Sequence, residues 1–211
     1  MIDNIEVFTQ SSIRVTAGGR RIYIDPYGIT EKTGDADIVF LTHDHYDHFS
    51  PEDIGKIRKD DTKFVFPVKM GKKLDKAIGA GGTLAVEPGK SYELDGISFE
   101  TVAAYNILKP FHPKFDGWVG YVLDIDGCRI YIAGDTDATS EAKTVKCDIA
   151  LVPIGGTYTM DAKAAAELIN KISPEYAVPT HYGSIVGSPS DGKAFEEKVK
   201  APVKVVHKLT F

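Results

Sequence analysis

The stretch LTHDHYDHFS, residues 41–50, places three of the chain's six histidines and two aspartates within positions 43–48. It follows the apolar run ADIVFL (36–41), which is typical of a strand buried on both faces. It leads into Ser-Pro-Glu-Asp (50–53), where a capping serine, a proline and an acidic residue three positions after the serine predict the start of a helix. The sequence therefore predicts a polar turn that connects a buried strand to a helix.

The spacing of the polar residues in this turn suits metal binding. His43 and His45 lie two positions apart at the end of a strand, so their side chains leave on the same side and can share one ion. Asp47 and His48 follow where the chain reverses, and they offer an oxygen and nitrogen pair to a neighbouring ion. Imidazole and carboxylate suit zinc, manganese or iron, and the lack of thiolate argues against a closed structural zinc site. A solvated histidine-rich loop is the alternative, but the pattern favours an open, reactive metal site.

Length and composition limit the class of protein. With 211 residues and 43% hydrophobic content, the chain suits one domain that spans residues 1–211. Its formal net charge of −5 gives no basic surface for phosphate backbones, so nucleic acid is not an expected partner. No apolar run reaches signal-peptide or membrane-spanning length, and we expect a soluble, cytoplasmic protein without membrane insertion. Cys128 and Cys147 are predicted to be ordinary buried thiols.

Alternating or continuous apolar runs, broken by turn residues, predict strands over most of the chain. We predict strands at 4–10, 12–17, 21–25, 36–41 and 63–68, in several pieces over 82–105, in two pieces over 117–135, and at 147–154, 175–183 and 202–209. Helices are predicted from residue 51 and at 69–78, 161–172 and 190–200, with a short one between 135 and 147. Sheets and helices in this order predict an α+β fold, a four-layer αββα sandwich whose loops meet at one edge.

Two short repeats predict that the two halves of the chain are alike. Arg-Ile-Tyr-Ile at 21–24 recurs at 129–132. Ala-Asp-Ile at 36–38 is matched at a nearly equal offset by Cys-Asp-Ile at 147–149. The repeats favour two similar half-domains, each built of strands followed by helices.

His43, His45, Asp47 and His48 form the pattern H-x-H-x-D-H, which resembles the signature of the metallo-β-lactamase superfamily. The resemblance covers nearly the whole chain and implies the αββα metallo-β-lactamase fold. Within the superfamily, the runs PIGGTYTMDAKAAAELI and PTHYG are similar to one branch. That branch includes L-ascorbate-6-phosphate lactonase, many uncharacterised metal-dependent hydrolases and, more distantly, N-acyl phosphatidylethanolamine phospholipase D.

The resemblance assigns roles to three further residues. Asp25, in IYIDP, resembles the early structural aspartate that lies beneath the metal loop. Asp135, in IAGDTD, resembles the carboxylate that bridges two metal ions. His181, in VPTHYG, resembles the last ligand, which joins Asp47 and His48 at the second ion.

One position departs from the superfamily pattern. A histidine is expected after the strand that ends near residue 104, where it completes the first metal site with His43 and His45, but Asn106 stands there. Three interpretations remain open. His112, which lies six residues on and between two prolines, takes the histidine's role; Asn106 ligates through its carbonyl oxygen; or the first site is incomplete. We favour His112.

Other residues are candidates for contacts with a substrate. Lys109 and Lys114 flank His112 and are placed to meet a phosphate. The glycines at 155–156 would let the backbone approach the metal ions closely. A helix beginning at Thr159 or Asp161 would offer its N-terminus to an anionic group.

These features favour a metal-dependent hydrolase that acts on a small anionic ester, lactone or phosphodiester. Two divalent ions, zinc by preference and manganese or iron as alternatives, would generate a metal-bound hydroxide near neutral pH. Asp47 would orient this nucleophile and carry protons. The alternatives are a metal-binding protein with an incomplete first site and little turnover, or a nuclease-type phosphodiesterase. A di-iron oxidoreductase of the same fold is disfavoured, because such proteins usually carry glutamate where His45 stands.

Overall fold

The computed structural model describes residues 1–79 and 84–211. The strands are β1 Ile5–Val7, β2 Ile13–Ala17, β3 Arg20–Ile24, β4 Ala36–Phe40, β5 Arg58–Pro67, β6 Leu84–Val86, β7 Ser91–Leu94, β8 Ile97–Ala103, β9 Val119–Ile125, β10 Cys128–Ile132, β11 Ile149–Pro153, β12 Tyr176–Thr180 and β13 Lys204–Val205. The helices are α1 Pro51–Ile57, α2 Gly71–Ile78, α3 Ala162–Ile172 and α4 Asp191–Glu196, with 3-10 turns at Ile2–Asn4, Val68–Met70, Lys114–Asp116 and Ala142–Thr144.

The strands form two mixed sheets. In the first sheet, ordered β1 to β6, strands β1 to β3 are antiparallel and strands β3 to β6 are parallel. In the second sheet, ordered β13 back to β7, strands β7 to β10 are antiparallel and strands β10 to β13 are parallel. Because neighbouring parallel strands end at the same edge, the loops that follow them gather at one edge of each sheet.

The sheets pack face to face, and helices cover their outer faces. Alternate residues of β4 point to opposite sides, so that Phe40 enters the core between the sheets while Val39 joins a second apolar cluster with α1 and α2. In the core between the sheets, Phe40 meets Phe99 of β8 and Tyr121 of β9 edge to face, with ring centroids 5.1 and 5.0 Å apart. Helix α3 packs its apolar side against β11 of the second sheet. The predicted αββα sandwich is confirmed.

The two half-domains share a strand frame. Residues 21–24 lie in β3 and residues 129–132 in β10, and each strand is antiparallel to the strand before it and parallel to the strand after it. The backbone N–H of Arg21 donates to the Asp37 carboxylate at 2.7 Å, and that of Arg129 donates to the Asp148 carboxylate at 2.8 Å. The repeated residues therefore make the same contact in both halves, which confirms the prediction of two similar half-domains.

The helices begin where the capping signals predict. Ser50 accepts a hydrogen bond from the backbone N–H of Asp53 at 3.2 Å, and Pro51 occupies the first position of α1. Asp161 accepts from the backbone N–H of Ala164 at 2.7 Å and caps α3. The N-terminus of α3 is thus capped by a carboxylate of the chain itself.

Several predicted boundaries were wrong. The strand predicted at 63–68 begins earlier, at Arg58, and the helix predicted at 69–78 starts as a 3-10 turn before α2. The strand predicted at 4–10 ends at Val7, because a turn follows in which Gln10 adopts a left-handed backbone with φ of 49°. The predicted helix at 190–200 ends at Glu196. The strand predicted at 202–209 is only β13, an edge strand that pairs with β12 alone.

Three further observations complete the fold. Part of the predicted strand region 82–105, residues 82 and 83, lies outside the described residues. Cys128 and Cys147 are free thiols that are partly exposed rather than buried. Over residues 1–79 and 84–211, no helix has the length and apolar character needed to cross a membrane.

Candidate metal centre

Four loops bring the predicted site residues together where the parallel strands of the two sheets end. The loop after β4 supplies four side chains, and the β8–β9 loop, the end of β10 and the end of β12 supply one each. In chain order the residues are His43, His45, Asp47, His48, His112, Asp135 and His181. All but His45, which is half-buried, are buried.

His43, His45 and His112 form a first donor group. One donor atom of each lies within 4.8 Å of the others. Nδ1 of His45 is 3.2 Å from Nε2 of His112, although 67 residues separate them in the chain. The fold therefore places His112 beside the two histidines of the opening motif, as the sequence interpretation favoured.

Asp47, His48 and His181 form a second donor group. Their donor atoms also lie within 4.8 Å of one another. Nε2 of His181 is 3.2 Å from Oδ2 of Asp47, and Nε2 of His48 is 3.8 Å from the same oxygen. This group offers two nitrogens and an oxygen.

Asp135 lies between the two donor groups. Its Oδ1 is 3.2 Å from Nε2 of His48, and its Oδ2 is 3.4 Å from Nε2 of His181. The same Oδ2 is 3.6 Å from Nε2 of His112, in the first donor group. One carboxylate therefore approaches nitrogens of both groups.

Asp25 supports the centre from beneath. Its carboxylate accepts from the backbone N–H of Thr42 at 2.8 Å, from the Thr42 hydroxyl at 2.5 Å, and from Nδ1 of His48 at 2.7 Å. Because the Thr42 hydroxyl donates to Asp25, its oxygen accepts from Nδ1 of His43 at 2.9 Å. Both histidines then carry their proton on Nδ1, which leaves Nε2 as the atom available for a metal ion. Burial raises the pKa of Asp25, although the contacts with His48 and Thr42 oppose that rise.

Asn106 is hydrogen-bonded to His112. Its Oδ1 is 3.1 Å from the backbone nitrogen of His112 and 3.2 Å from Nδ1 of the same residue, and both donate to it. Its Nδ2 donates to the backbone carbonyl of Tyr158 at 2.9 Å. With its oxygen engaged in this way, Asn106 directs Nε2 of His112 towards the first donor group.

Gly155 allows the loop that carries His181 to lie close to the end of β11. A Cβ at Gly155 would stand 2.2 Å from the backbone carbonyl oxygen of His181, closer than any side chain permits. His181 itself adopts a left-handed backbone with φ of 55°, and its N–H donates to the carbonyl of Gln10 at 2.9 Å. Gly155, predicted with Gly156 to let the backbone approach the metal ions, thus allows a close approach to the backbone of the candidate ligand His181.

Several buried polar atoms of the centre lack a partner. Nε2 of His43, Nε2 of His48 and Oδ1 of Asp135 form no hydrogen bond with any other described residue. A buried polar group left unpaired costs about 1–3 kcal/mol, so an unsatisfied set of this kind calls for a ligand. Imidazole nitrogens and carboxylate oxygens without thiolate form a donor set that fits a divalent ion.

The ionisation of His43, His112 and Asp135 also suits metal binding. Burial holds the pKa of His43 well below its ordinary value and lowers that of His112 to about 4. Burial alone would raise the pKa of Asp135, but His181 and His48 hold it well below the ordinary value. Burial would likewise lower the pKa of His48, but Asp135 and Asp25 raise it well above the ordinary value, so His48 has to release a proton before it can ligate a metal ion. At neutral pH, His43 and His112 are therefore neutral and Asp135 is ionised, the states in which they ligate metals.

A cavity of about 330 Å³ opens above the centre. Its floor is formed by His45, Asp47, His112, Asp135 and His181, and its walls are formed by Tyr46, Phe111, Tyr158 and Ile185. The lysines predicted to meet a phosphate do not line it. Lys109 donates to Asp137 and to the carbonyl of Thr159, each at 2.6 Å, and Lys114 pairs with Glu141 at 2.6 Å.

An αββα sandwich with a buried histidine–aspartate centre at the edge of its sheets defines the class of metallo-β-lactamase-like proteins. Consistent with this, the family model described as the beta-lactamase superfamily domain matches residues 4–181. A UPF0173 metal-dependent hydrolase of Methanosphaerula palustris is 32% identical over 197 residues, 87% of this chain and 85% of that protein. The chain therefore belongs to the metallo-β-lactamase superfamily, and its relatives there include proteins named metal-dependent hydrolases.

Solved structures agree with this assignment. A protein from Parabacteroides distasonis, described as a metal-dependent hydrolase, matches with a TM-score of 0.85 and 30% identity, covering 98% of this chain and 93% of that one. Igni18, described as a metallo hydrolase of Ignicoccus hospitalis, matches with a TM-score of 0.79 and 25% identity, covering 98% and 95%. The fold of this chain is thus shared along almost its full length.

Sequence reasoning missed the residues that support and surround the centre. Thr42 connects His43 to Asp25, and its position directly before the motif was the available signal. Asn106 entered the sequence interpretation only as a possible ligand. Phe111 and Ile185 line the cavity, and only the place of Phe111 beside His112 pointed to such a role.

Proposed function

We propose that this chain is a dinuclear metal-dependent hydrolase that cleaves an ester, lactone or phosphodiester bond. The observation that carries the proposal is the position of Asp135, whose two oxygens approach nitrogens of both donor groups. His43, His45 and His112 would hold one ion and Asp47, His48 and His181 the other, with Asp135 between them. Zinc is the preferred ion, and manganese or iron would also suit this set of ligands.

The residues of the centre divide the work of such a reaction. Bound divalent ions would lower the pKa of a solvent molecule towards neutrality and so supply a hydroxide nucleophile. Asp47 lines the cavity, and although burial raises its pKa, His181 and His48 lower it overall, so that it is ionised at neutral pH. Its carboxylate can therefore accept a hydrogen bond from attacking solvent and receive a proton. Asp25 and Asn106 keep the histidines in the orientation that this work requires.

Metal removal and reloading test the proposal. The chain is treated with a chelator, its metal content is measured by mass spectrometry, and the hydrolysis of p-nitrophenyl acetate and of bis(p-nitrophenyl) phosphate is followed before and after zinc, manganese or iron(II) is restored. We expect two ions per chain, loss of turnover without them and recovery on reloading. Full turnover by the metal-free chain would overturn the proposal. One ion per chain without turnover would favour a binding protein instead.

A pair of histidine variants makes the test specific. His43→Ala removes a candidate ligand, and we expect it to lower both the metal content and the turnover. His207→Ala removes an exposed histidine that pairs with Glu196 at 3.1 Å outside the centre. We expect that control to retain two ions and full turnover.

A further inference from the structure

The wall of the cavity above the centre is apolar and aromatic. Tyr46, Phe111, Tyr158 and Ile185 are 63, 41, 36 and 39% exposed, and because they line one cavity they form a contiguous surface rather than scattered side chains. We propose that the substrate carries an uncharged, apolar arm, an aryl group or a short acyl chain, that lies against this wall. This inference rests on the proposed function and specifies the substrate of the same site.

The aromatic side chains of the wall are held by contacts with other aromatic rings. The rings of Phe111 and Tyr158 meet edge to face with centroids 4.7 Å apart. Tyr46 meets Tyr27 in the same manner at 6.0 Å. Because these rings hold one another in place, an apolar arm would gain contact area at little cost in side-chain entropy.

The charges around the cavity favour an uncharged arm. No lysine or arginine of the described residues 1–79 and 84–211 lines it. Lys109 is engaged by Asp137 and Lys114 by Glu141, and the N-terminus of α3 is capped by Asp161. The carboxylates that line the cavity, those of Asp47 and Asp135, belong to the centre. An anionic arm would therefore lack a cationic side chain to bind it.

The wall is connected to the reacting end of the cavity. Phe111 precedes His112 directly in the chain. Asn106 joins His112 to the backbone carbonyl of Tyr158 through hydrogen bonds of its Oδ1 and Nδ2. An arm held against Phe111 and Tyr158 thus starts beside the first donor group, where the scissile bond would lie. The cavity is at the small end of the range for ligand pockets, so the arm must be short.

A series of esters measures the preference for an apolar arm. The metal-loaded chain is assayed with p-nitrophenyl acetate, butyrate and hexanoate, and with the p-nitrophenyl monoester of adipate, which matches hexanoate in length but ends in a carboxylate. We expect kcat/KM to rise about fourfold for each added methylene and to fall by about tenfold or more from hexanoate to adipate. A flat series, or adipate as the better substrate, would overturn the inference.

Binding without turnover separates this inference from the proposed function. The dissociation constants of hexanamide and of adipamate, its counterpart ending in a carboxylate, are measured for the metal-free chain by ligand-observed NMR. We expect hexanamide to bind about tenfold more tightly or better. If no ester is cleaved but this preference holds, the proposed hydrolysis fails and the apolar arm stands. If both amides bind equally or adipamate binds more tightly, the apolar arm fails whatever is cleaved.

Aromatic variants locate the preference in the wall. Phe111→Ala and Tyr158→Ala are expected to lower kcat/KM on the hexanoate by about tenfold or more while changing the value on the acetate by less than about threefold. Phe115→Ala is the matched control, because Phe115 is an exposed aromatic residue of the same loop that does not line the cavity. Equal losses in the control and the wall variants would assign the effect to the loop rather than to the arm.

Discussion

Strand β3 of the first half-domain and strand β10 of the second occupy equivalent places, yet the loops beyond them carry different chemistry. In the first half, the loop after β4 supplies four candidate ligands within six residues. In the second half, the loop after β11 supplies glycines at 155–156, and the candidate ligands Asp135 and His181 come singly from the ends of β10 and β12. The same strand arrangement thus carries candidate ligands that are clustered in one loop in the first half and separated in the second half.

This difference shows how the duplicated frame produces a single centre. The first half fixes its candidate ligands through Asp25, which contacts His48 directly and His43 through Thr42. The second half and the β8–β9 loop fix theirs one by one, as Asn106 does for His112. We therefore expect a substitution of Asp25 to affect both donor groups, and a substitution of Asn106 to affect only the first.

The largest effect is expected from Asp25→Ala. The substitution leaves the buried Thr42 N–H and His48 Nδ1–H without an acceptor, which should lower the free energy of unfolding by about 3–5 kcal/mol. It also removes the orientation of His43 and His48, so the affinity for both ions should fall by about 10- to 100-fold. Chemical denaturation and metal competition titrations measure the two effects separately.

Two variants separate the metal effect from a loss of stability. Asp53 is a buried aspartate that accepts from the backbone N–H groups of Gly28 and Ile29 and from Lys56, outside the centre. Asp53→Ala should therefore destabilise the chain while leaving metal affinity unchanged. Asp25→Asn keeps the shape of the side chain but turns an amide towards His48. Compared with Asp25→Ala, it should therefore restore more of the free energy of unfolding than of the metal affinity. If Asp25→Asn bound both ions as the unaltered chain does, Asp25 would not set the histidine orientation.

A contiguous motif was easier to predict from the sequence than dispersed support. The αββα sandwich followed from apolar runs and caps, and the loop at 43–48 was found because its residues are neighbours in the chain. The hydrogen bond between Asn106 and His112 was missed. Both residues lie in an irregular loop, and the path of such a loop cannot be read from a periodic sequence pattern. The length of strand β13 was overestimated for a related reason. An edge strand extends only as far as it pairs with its one neighbouring strand, and a local sequence pattern does not show that pairing.

A smaller, one-sided effect is expected from Asn106→Ala. His112 loses the acceptor for its Nδ1, so the first donor group should bind its ion about 10- to 100-fold more weakly while the second is unaffected. The chain's single tryptophan, Trp118, has its ring 6.3 Å from that of His43 and so reports on this group. Quenching of its fluorescence by cobalt(II) gives the midpoint, and metal analysis should show a fall from two ions towards one.

An asparagine elsewhere in the chain provides the matched control for Asn106. Asn170 makes the same kind of double contact, donating to the carbonyl of Lys198 and accepting from the N–H of Lys200, at the far end of α3. Asn170→Ala should leave the cobalt(II) midpoint unchanged. If Asn106→Ala lowered the affinity for both ions equally, it would be incorrect that Asp25 supports both donor groups while Asn106 supports only the first.

The smallest effects are expected where the two halves are most alike. Asp37→Asn and Asp148→Asn each weaken the carboxylate contact with the backbone N–H of the repeated arginine, and neither should change metal content. Asp37 also accepts from Lys59 at 2.6 Å and is less exposed than Asp148, so its substitution should cost more, about 1 kcal/mol.

Burial raises the pKa of Asp37, but Lys59 and the Arg21 N–H lower it overall. Because its folded pKa lies below the unfolded value near 4, the stabilisation is present above about pH 4 and declines as the pH falls through the folded pKa. Denaturation of both variants at pH 7 and pH 3 measures this. Equal costs in the two halves, or a cost for Asp37→Asn that did not shrink in acid, would show that the extra stabilisation of the first half does not come from this ionised contact.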